Sequence, residues 1–162
     1  MIDLIAMSSA LHDVGKIGIP DEILNKPSRL TPEEFEVMKN HSIIGCAILE
    51  CFKMDIGEDD SEDLNFYRCC YEICRWHHEK ADGKGYPDGL TGDDIPVAAQ
   101  VVSIADVYDA LVSVRVYKGA FAKEDAYNMI VGGECGTFSP KLLECFRKTR
   151  SEFEAVTEKK NA

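Results

Sequence analysis

The chain has 162 residues, 45% of them hydrophobic, enough to bury one sizeable core without requiring a second domain. Its formal net charge of -11 at pH 7 repels nucleic-acid polymers and anionic membranes, which argues against DNA or RNA as a partner. A small phosphate ester held by local cations or by bound metal is not excluded.

The seven cysteines are an odd number without a CxxC pair and read as reduced, cytoplasmic thiols. No basic leader and no apolar run near the roughly 20 residues that span a bilayer is found, so neither a signal peptide nor a membrane segment is expected in this chain.

Residues 2 to 13 read as the end of a buried helix. Leu4, Ile5, Ser8, Leu11 and His12 fall on one side of it, which carries the histidine to the core-facing edge. A loop through Gly15, Gly18, Pro20 and Pro27 follows. Thr31-Pro32-Glu33-Glu34 is a helix start, with Thr31 as N-cap, Pro32 in the first helical position and Glu34 closing a capping box. That helix runs to about Asn40, and a second, from His41 to about Met54, packs Ile44, Ile48 and Phe52 inward. Residues 55 to 63 hold six acidic groups and read as a solvated loop prone to local disorder.

From Asn65 to His78, the stripe Phe66, Cys70, Ile73 and His77 predicts an apolar helix face ending in a histidine pair. Cys69, Cys70 and Cys74 on that helix are read as core packing rather than as metal ligands. Gly83, Gly85, Gly89 and Gly92 with Pro87 and Pro96 demand an irregular loop. Val97 to Val112 is apolar on nearly every side, as a central helix should be, apart from Gln100, Asp106 and Asp109. Two more helices are expected, at about 122 to 131 and from Ser139, which caps ahead of Pro140. No segment alternates as a strand does. The fold class is therefore all-α, with one domain over 1–150 and a helix end or disordered tail over 151–162.

Only four histidines occur: His12, His41, His77 and His78. A lone histidine in such surroundings is more often a satisfied core residue than a ligand. The combination of His12-Asp13, a vicinal His77-His78 and an Asp106 buried on the face of Val102 and Ala105 weakens that reading. An ionised carboxylate so placed costs several kcal/mol unless a cation or hydrogen bonds compensate. Imidazole nitrogen with carboxylate oxygen and no thiolate suits iron, manganese or another borderline first-row metal better than calcium.

Three blocks carry a resemblance: His12-Asp-Val-Gly-Lys-Ile-Gly-Ile-Pro-Asp-Glu-Ile-Leu-Asn-Lys-Pro27, His77-His-Glu-Lys-Ala-Asp-Gly-Lys-Gly-Tyr-Pro-Asp-Gly-Leu90 and Ile104-Ala-Asp-Val-Tyr-Asp-Ala-Leu111. The first two resemble the signature blocks of the HD-GYP branch of the HD superfamily, and the third is similar to its third block. The resemblance implies an HD-domain helical bundle. It implies metal ligands at His12, Asp13, His41, His77, His78 and Asp106, with Asp13 bridging two divalent ions. It implies a phosphate-contacting Lys16 and substrate-binding residues at Tyr86, Arg115 and Lys118, with Asp109 of the third block grouped with them. The implied activity is hydrolysis of cyclic di-GMP to the linear dinucleotide or on to GMP.

Departures from the pattern carry expectations of their own. Only eleven residues precede His12, none of them His or Glu, where the family has helices bearing a further ligand. The domain reads as N-terminally short, with one metal position complete and the other reduced to His12, Asp13 and Asp106. Uncovered apolar surface would favour a homodimer, another partner chain or a longer parent protein. Val114, Val116 and Ser139 also replace residues usual in the family. Two readings beside the phosphodiesterase stay open. One is a catalytically weak metal-binding module that meets diguanylate cyclase domains through Gly85-Tyr86-Pro87; the other is a general HD phosphohydrolase acting on nucleotides.

Overall fold

A computed structural model describes residues 1–53, 56, 61–113 and 119–160, with side chains through Val156. Its helices are α1 (Ile2–Ser9), α2 (Asp21–Leu24), α3 (Pro32–Lys39), α4 (His41–Lys53), α5 (Ser61–Trp76), α6 (Val97–Val112), α7 (Lys123–Val131), α8 (Pro140–Lys148) and α9 (Arg150–Lys160). Short 3-10 turns lie at Val14–Gly18 and Gly92–Asp94. Among the described residues there is no strand beyond one isolated bridge between Asp82 and Thr91, so the all-α class holds.

The capping signals act as the sequence requires. Thr31 and Glu34 form a reciprocal capping box, and the Ser139 hydroxyl accepts from the Leu142 N–H ahead of Pro140. Helix α6 covers the expected Val97–Val112.

Helix α5 is the axis of the N-terminal half. Cys70 and Cys74 pack with Leu49, Leu11 and Val14, while Cys69 and Ile73 pack with Val102, Leu4 and Ile5. The cysteines at 69, 70 and 74 are thus core residues, and all seven cysteines are free thiols. A second core joins α6, α7 and α8 through Ile104, Tyr108, Leu111, Ala126, Ile130, Phe138 and Phe146.

Four expectations are corrected. The loop after His12 contains the Val14–Gly18 turn and α2. Helix α4 buries Ser42, Gly45, Cys46 and Leu49, leaving Ile44 and Ile48 half-buried and Phe52 exposed. Ser61–Asp63 are not loop but the first turn of α5, while 55 and 57–60 of the expected acidic loop lie outside the described residues. Helix α6 is not covered all round: Val97, Val101 and Ala105 are exposed along one side. With Ile2, Ile5 and Ala6 of α1, Val101 and Ala105 line an apolar groove of about 530 Å³.

The α4 correction has a steric cause. A Cβ on Gly15 would lie 1.9 Å from the His41 carbonyl oxygen and 2.4 Å from the Gly45 nitrogen, and one on Gly45 would lie 2.3 Å from the Cys74 sulfur. The Val14–Gly18 turn and α4 therefore meet at backbone distance, with the Cys74 sulfur of α5 packed against Gly45, and only small residues fit the seam. Gly15→Ala is expected to lower stability by at least about 2 kcal/mol in urea unfolding, since backbone cannot yield as a side chain can. An unchanged midpoint would show that the Val14–Gly18 turn shifts freely.

Candidate metal centre

Asp13 lies between the end of α1 and the Val14–Gly18 turn, and the seam around Gly15 sets its carboxylate against the start of α4 and the end of α5. Its oxygens face different partners. Oδ1 lies 3.4 Å from His41 Nε2 and 3.9 Å from His77 Nε2. Oδ2 lies 3.3 Å from His12 Nε2 and 2.5 Å from Lys16 Nζ. His12 Nε2 also lies 3.9 Å from Asp106 Oδ1. Asp13, His41, His77 and His78 each offer a ligand atom within 4.8 Å of the others.

Main-chain carbonyls fix three imidazoles. Nδ1–H of His12 donates to Ser9 O (2.7 Å), that of His41 to Met38 O (2.8 Å), and that of His77 to Ile73 O (2.9 Å). A carbonyl can only accept, so each bond places the ring proton on Nδ1 and leaves Nε2 as a lone-pair donor for a metal, the arrangement that orients metal-binding histidines. His41 and His77 are buried, and their Nε2 atoms and Asp13 Oδ1 have no hydrogen-bond partner among the described residues. Such groups are costly when unsatisfied, and one cation among them would satisfy all three. The donor set fits a divalent transition metal.

The electrostatics agree. Burial works against ionisation of Asp13, yet hydrogen bonds and charge from His12 and Lys16 outweigh it and hold the carboxyl well below its usual range. Burial pushes the His77 pKa down to about 4, helped by the charges of His12 and His41. His41 is lowered by burial, and His78 by burial and then by its histidine neighbours. His12 moves the other way, raised chiefly by its hydrogen bond to Asp13. The centre thus presents an anionic carboxylate with three imidazoles, His41, His77 and His78, held towards the neutral form before any metal arrives.

The remaining sequence-derived residues divide between two cavities. Tyr86 stacks on His78, with ring centroids 4.6 Å apart and planes at 24°, and lines a cleft with Lys16 and His41. Asp106 and Asp109 line the apolar α1–α6 groove with His12. Asp106 is half-buried, with 31% of its side chain accessible, and Ala105 beside it is exposed. The expected burial of Asp106 is therefore corrected: this helix face lies open along the groove. Arg115, Lys118, Val114 and Val116 lie outside the described residues. Asp82 accepts from the Lys84 N–H and the Thr137 hydroxyl, as a turn residue does.

One residue of consequence was missed in the sequence. Glu79 is 3% exposed, and its carboxylate accepts the N–H groups of Asp88 (2.7 Å), Gly89 (3.0 Å) and Leu90 (3.0 Å). Asp88 is clamped in turn by Arg75 and by the Trp76 indole. The end of α5 that carries His77 is thereby bolted to the loop that carries Tyr86. The signal was a carboxylate beside a histidine pair, ahead of a glycine-rich loop whose N–H groups need acceptors.

A family model described as HD domain matches residues 3–141, so the chain belongs to the HD domain family, and its two long blocks belong to the HD-GYP branch of it. It is 44% identical over 155 residues to a cyclic di-GMP phosphodiesterase of Vibrio cholerae serotype O1, covering 96% of this chain and 30% of that protein. To a cyclic di-GMP phosphodiesterase of Thermotoga maritima it is 42% identical over 152 residues, covering 94% and 39%. To a 3'3'-cGAMP-specific phosphodiesterase 2 of Vibrio cholerae it is 39% identical over 154 residues, covering 95% and 28%. The chain spans about a third of the length of these relatives. Among the described residues no helix is long and apolar enough to cross a membrane.

A pH prediction follows from the depressed histidines. The unfolded chain takes up protons on His77 below about pH 6.5, whereas the folded chain resists until about pH 4. Stability of the metal-free chain should therefore fall as pH drops through this window, by on the order of 2 kcal/mol from His77 alone. His41 and His78 add in the same direction. His12 has the opposite sign, its contribution being lost as pH rises through its raised pKa. Urea unfolding of chelator-treated protein at pH 7 and pH 4.5 measures the balance; equal or greater stability at pH 4.5 would overturn the protonation assignment.

Proposed function

We propose that this domain is a metal-dependent phosphodiesterase that hydrolyses cyclic di-GMP to the linear dinucleotide or on to GMP. The observation that carries the reading is the division of one half-buried carboxylate. Asp13 offers Oδ1 to the unsatisfied Nε2 atoms of His41 and His77, and Oδ2 to His12 and Lys16. The names of the relatives support the substrate, since those at 44% and 42% identity are cyclic di-GMP phosphodiesterases and the 3'3'-cGAMP-specific one stands at 39%.

Asp13, His41, His77 and His78 would hold one ion. His12, Asp106 and the second oxygen of Asp13 would hold another. Iron or manganese suits imidazole and carboxylate donors without a thiolate. Such ions supply Lewis acidity, activating water and drawing charge from a phosphoryl group.

This chain's own residues do the rest. The Nδ1–H bonds of His41 and His77 leave Nε2 unprotonated and aimed, and that of His12 orients its ring, so little reorganisation is needed at the centre. Lys16, paired with Asp13 in the free protein, swings its ammonium towards the phosphoryl oxygens and offsets their charge. Tyr86 walls the cleft beside His78 and keeps bulk water from that side. A cytoplasmic setting accords with the free thiols. The rival reading, contact with diguanylate cyclase domains through Gly85-Tyr86-Pro87, draws less support, because the Tyr86 ring lies on His78 within the cleft.

Two substitutions test the proposal. His77→Ala should weaken metal binding by at least about tenfold, since a lost ligand outweighs a lost partner of a ligand. Lys16→Ala should retain the metal and lower cyclic di-GMP turnover by roughly 10²- to 10³-fold. Metal counting by mass spectrometry beside a turnover assay reads both. Full metal content in His77→Ala, or loss of metal in Lys16→Ala, would overturn the assignments.

A further inference from the structure

The cleft beside the metal centre extends well past the residues assigned so far. It has a volume of about 440 Å³, within the range of small-molecule sites, and runs from Lys16, His41, His78 and Tyr86 out to Lys26, Arg29 and Phe35. Its outer wall comes from the stretch between α2 and α3 and from α3 itself, outside the second and third blocks.

The charges on that wall are not equivalent. Lys26 is spent on Glu34, at 2.5 Å and 2.7 Å, and Lys39 on Glu36 at 2.6 Å. Arg29 is exposed and has no hydrogen-bond or ionic partner among the described residues. In a chain of net charge -11, an unpaired guanidinium at the mouth of a cleft is a focus for anions. A guanidinium also offers a planar fork that matches a phosphate or the acceptor edge of guanine.

Phe35 is the second unusual feature. Its ring is 43% exposed at the cleft rather than packed in a core. It meets Tyr86 edge-to-face at 6.1 Å and 86°, and the Lys39 ammonium stands 5.2 Å from its centroid. The ring is thus held by neighbours while keeping surface open to a ligand. A held, open aromatic ring in the same cleft as an unpaired arginine is a pairing that can receive a nucleobase, which stacks on the ring while its edge or phosphate meets the cation.

We propose that Arg29 and Phe35 form the outer half of the substrate seat: one guanine of the dinucleotide stacks on Phe35, and Arg29 engages its edge or the second phosphate. This rests on the proposed phosphodiesterase reading and adds to it the residues that distinguish a dinucleotide from a simple diester. The α1–α6 groove is the poorer seat for such a ligand, since the residues lining it include no lysine or arginine.

The test uses the full 162-residue chain loaded with metal and its Phe35→Leu, Phe35→Trp and Arg29→Gln variants. KM and kcat are measured for cyclic di-GMP, and kcat/KM for bis(p-nitrophenyl) phosphate, which has no nucleobase. In Phe35→Leu and Arg29→Gln, KM for cyclic di-GMP should rise about tenfold with a much smaller change in kcat. The ratio of its kcat/KM to that for the simple diester should fall about tenfold. Phe35→Trp should restore most of the loss. An unchanged KM, or an equal loss on both substrates, would overturn the proposal. Calorimetric binding of cyclic di-GMP and its linear product separates the two levels. If the wild type turns over no dinucleotide but binds it, and Phe35→Leu weakens that binding about tenfold, the seat stands and the catalytic reading falls. If the wild type neither binds nor hydrolyses dinucleotides, both fall.

Discussion

The centre depends on one carboxylate held where a carboxylate should not rest easily. Asp13 stands beside His41 and His77, both held towards the neutral form, with Oδ1 buried and without a hydrogen-bond partner among the described residues and Oδ2 drawn to His12 and Lys16. The Lys16 ammonium offsets the charge from the Oδ2 side alone, and Oδ1 faces the Nε2 atoms of His41 and His77. An ion entering among Oδ1 and those Nε2 atoms satisfies groups that have no hydrogen-bond partner among the described residues.

The rest of the N-terminal half serves this placement. The glycine seam brings the Val14–Gly18 turn and α4 to backbone distance and seats the Cys74 sulfur of α5 against Gly45, so Asp13 meets histidines at the start of α4 and just past the end of α5 without a long, mobile side chain. Carbonyls near the ends of α1, α3 and α5 accept the Nδ1–H bonds, so the main chain sets the tautomer of three rings without further polar side chains. Glu79 then ties the end of α5 to the glycine-rich loop through three main-chain N–H groups, so Tyr86 and His77 are positioned by one rigid unit.

What the sequence discloses follows from the range of the interactions concerned. The Thr31 capping box, the span of α6 and the stripe Phe66, Cys70, Ile73, His77 depend on neighbours within a few turns, and periodicity reads them well. The buried face of α4 does not. A 3.6-residue period through that helix admits Ile44, Ile48 and Phe52 as readily as Ser42, Cys46 and Leu49. The choice is made by the close approach of Gly15 and Cys74, residues far from the stripe in sequence. The half-exposed state of Asp106 was hidden likewise, because the apolar surroundings inferred from Val102 and Ala105 turn out to border an open groove. Of the centre itself, the four histidines and Asp13 were legible as a set. Their division between the two oxygens of Asp13 is a three-dimensional fact that no spacing encodes.

The two cavities flanking the centre give it a direction. On the α1–α6 side the walls are mostly apolar, and among the described residues the acidic groups lining them are Asp106, placed to hold an ion with His12, and Asp109. On the other side Lys16 and Arg29 line one cleft with His41 and His78 in a chain that is otherwise strongly acidic, and Tyr86 and Phe35 add ring surface to it. Under the proposed reading this is the side whose chemistry suits a dianionic dinucleotide, with cations for its phosphates and rings for its bases beside His41 and His78. The overall negative charge then works for selectivity, because longer nucleic acids meet repulsion over the whole surface while a compact dinucleotide meets only the cationic cleft.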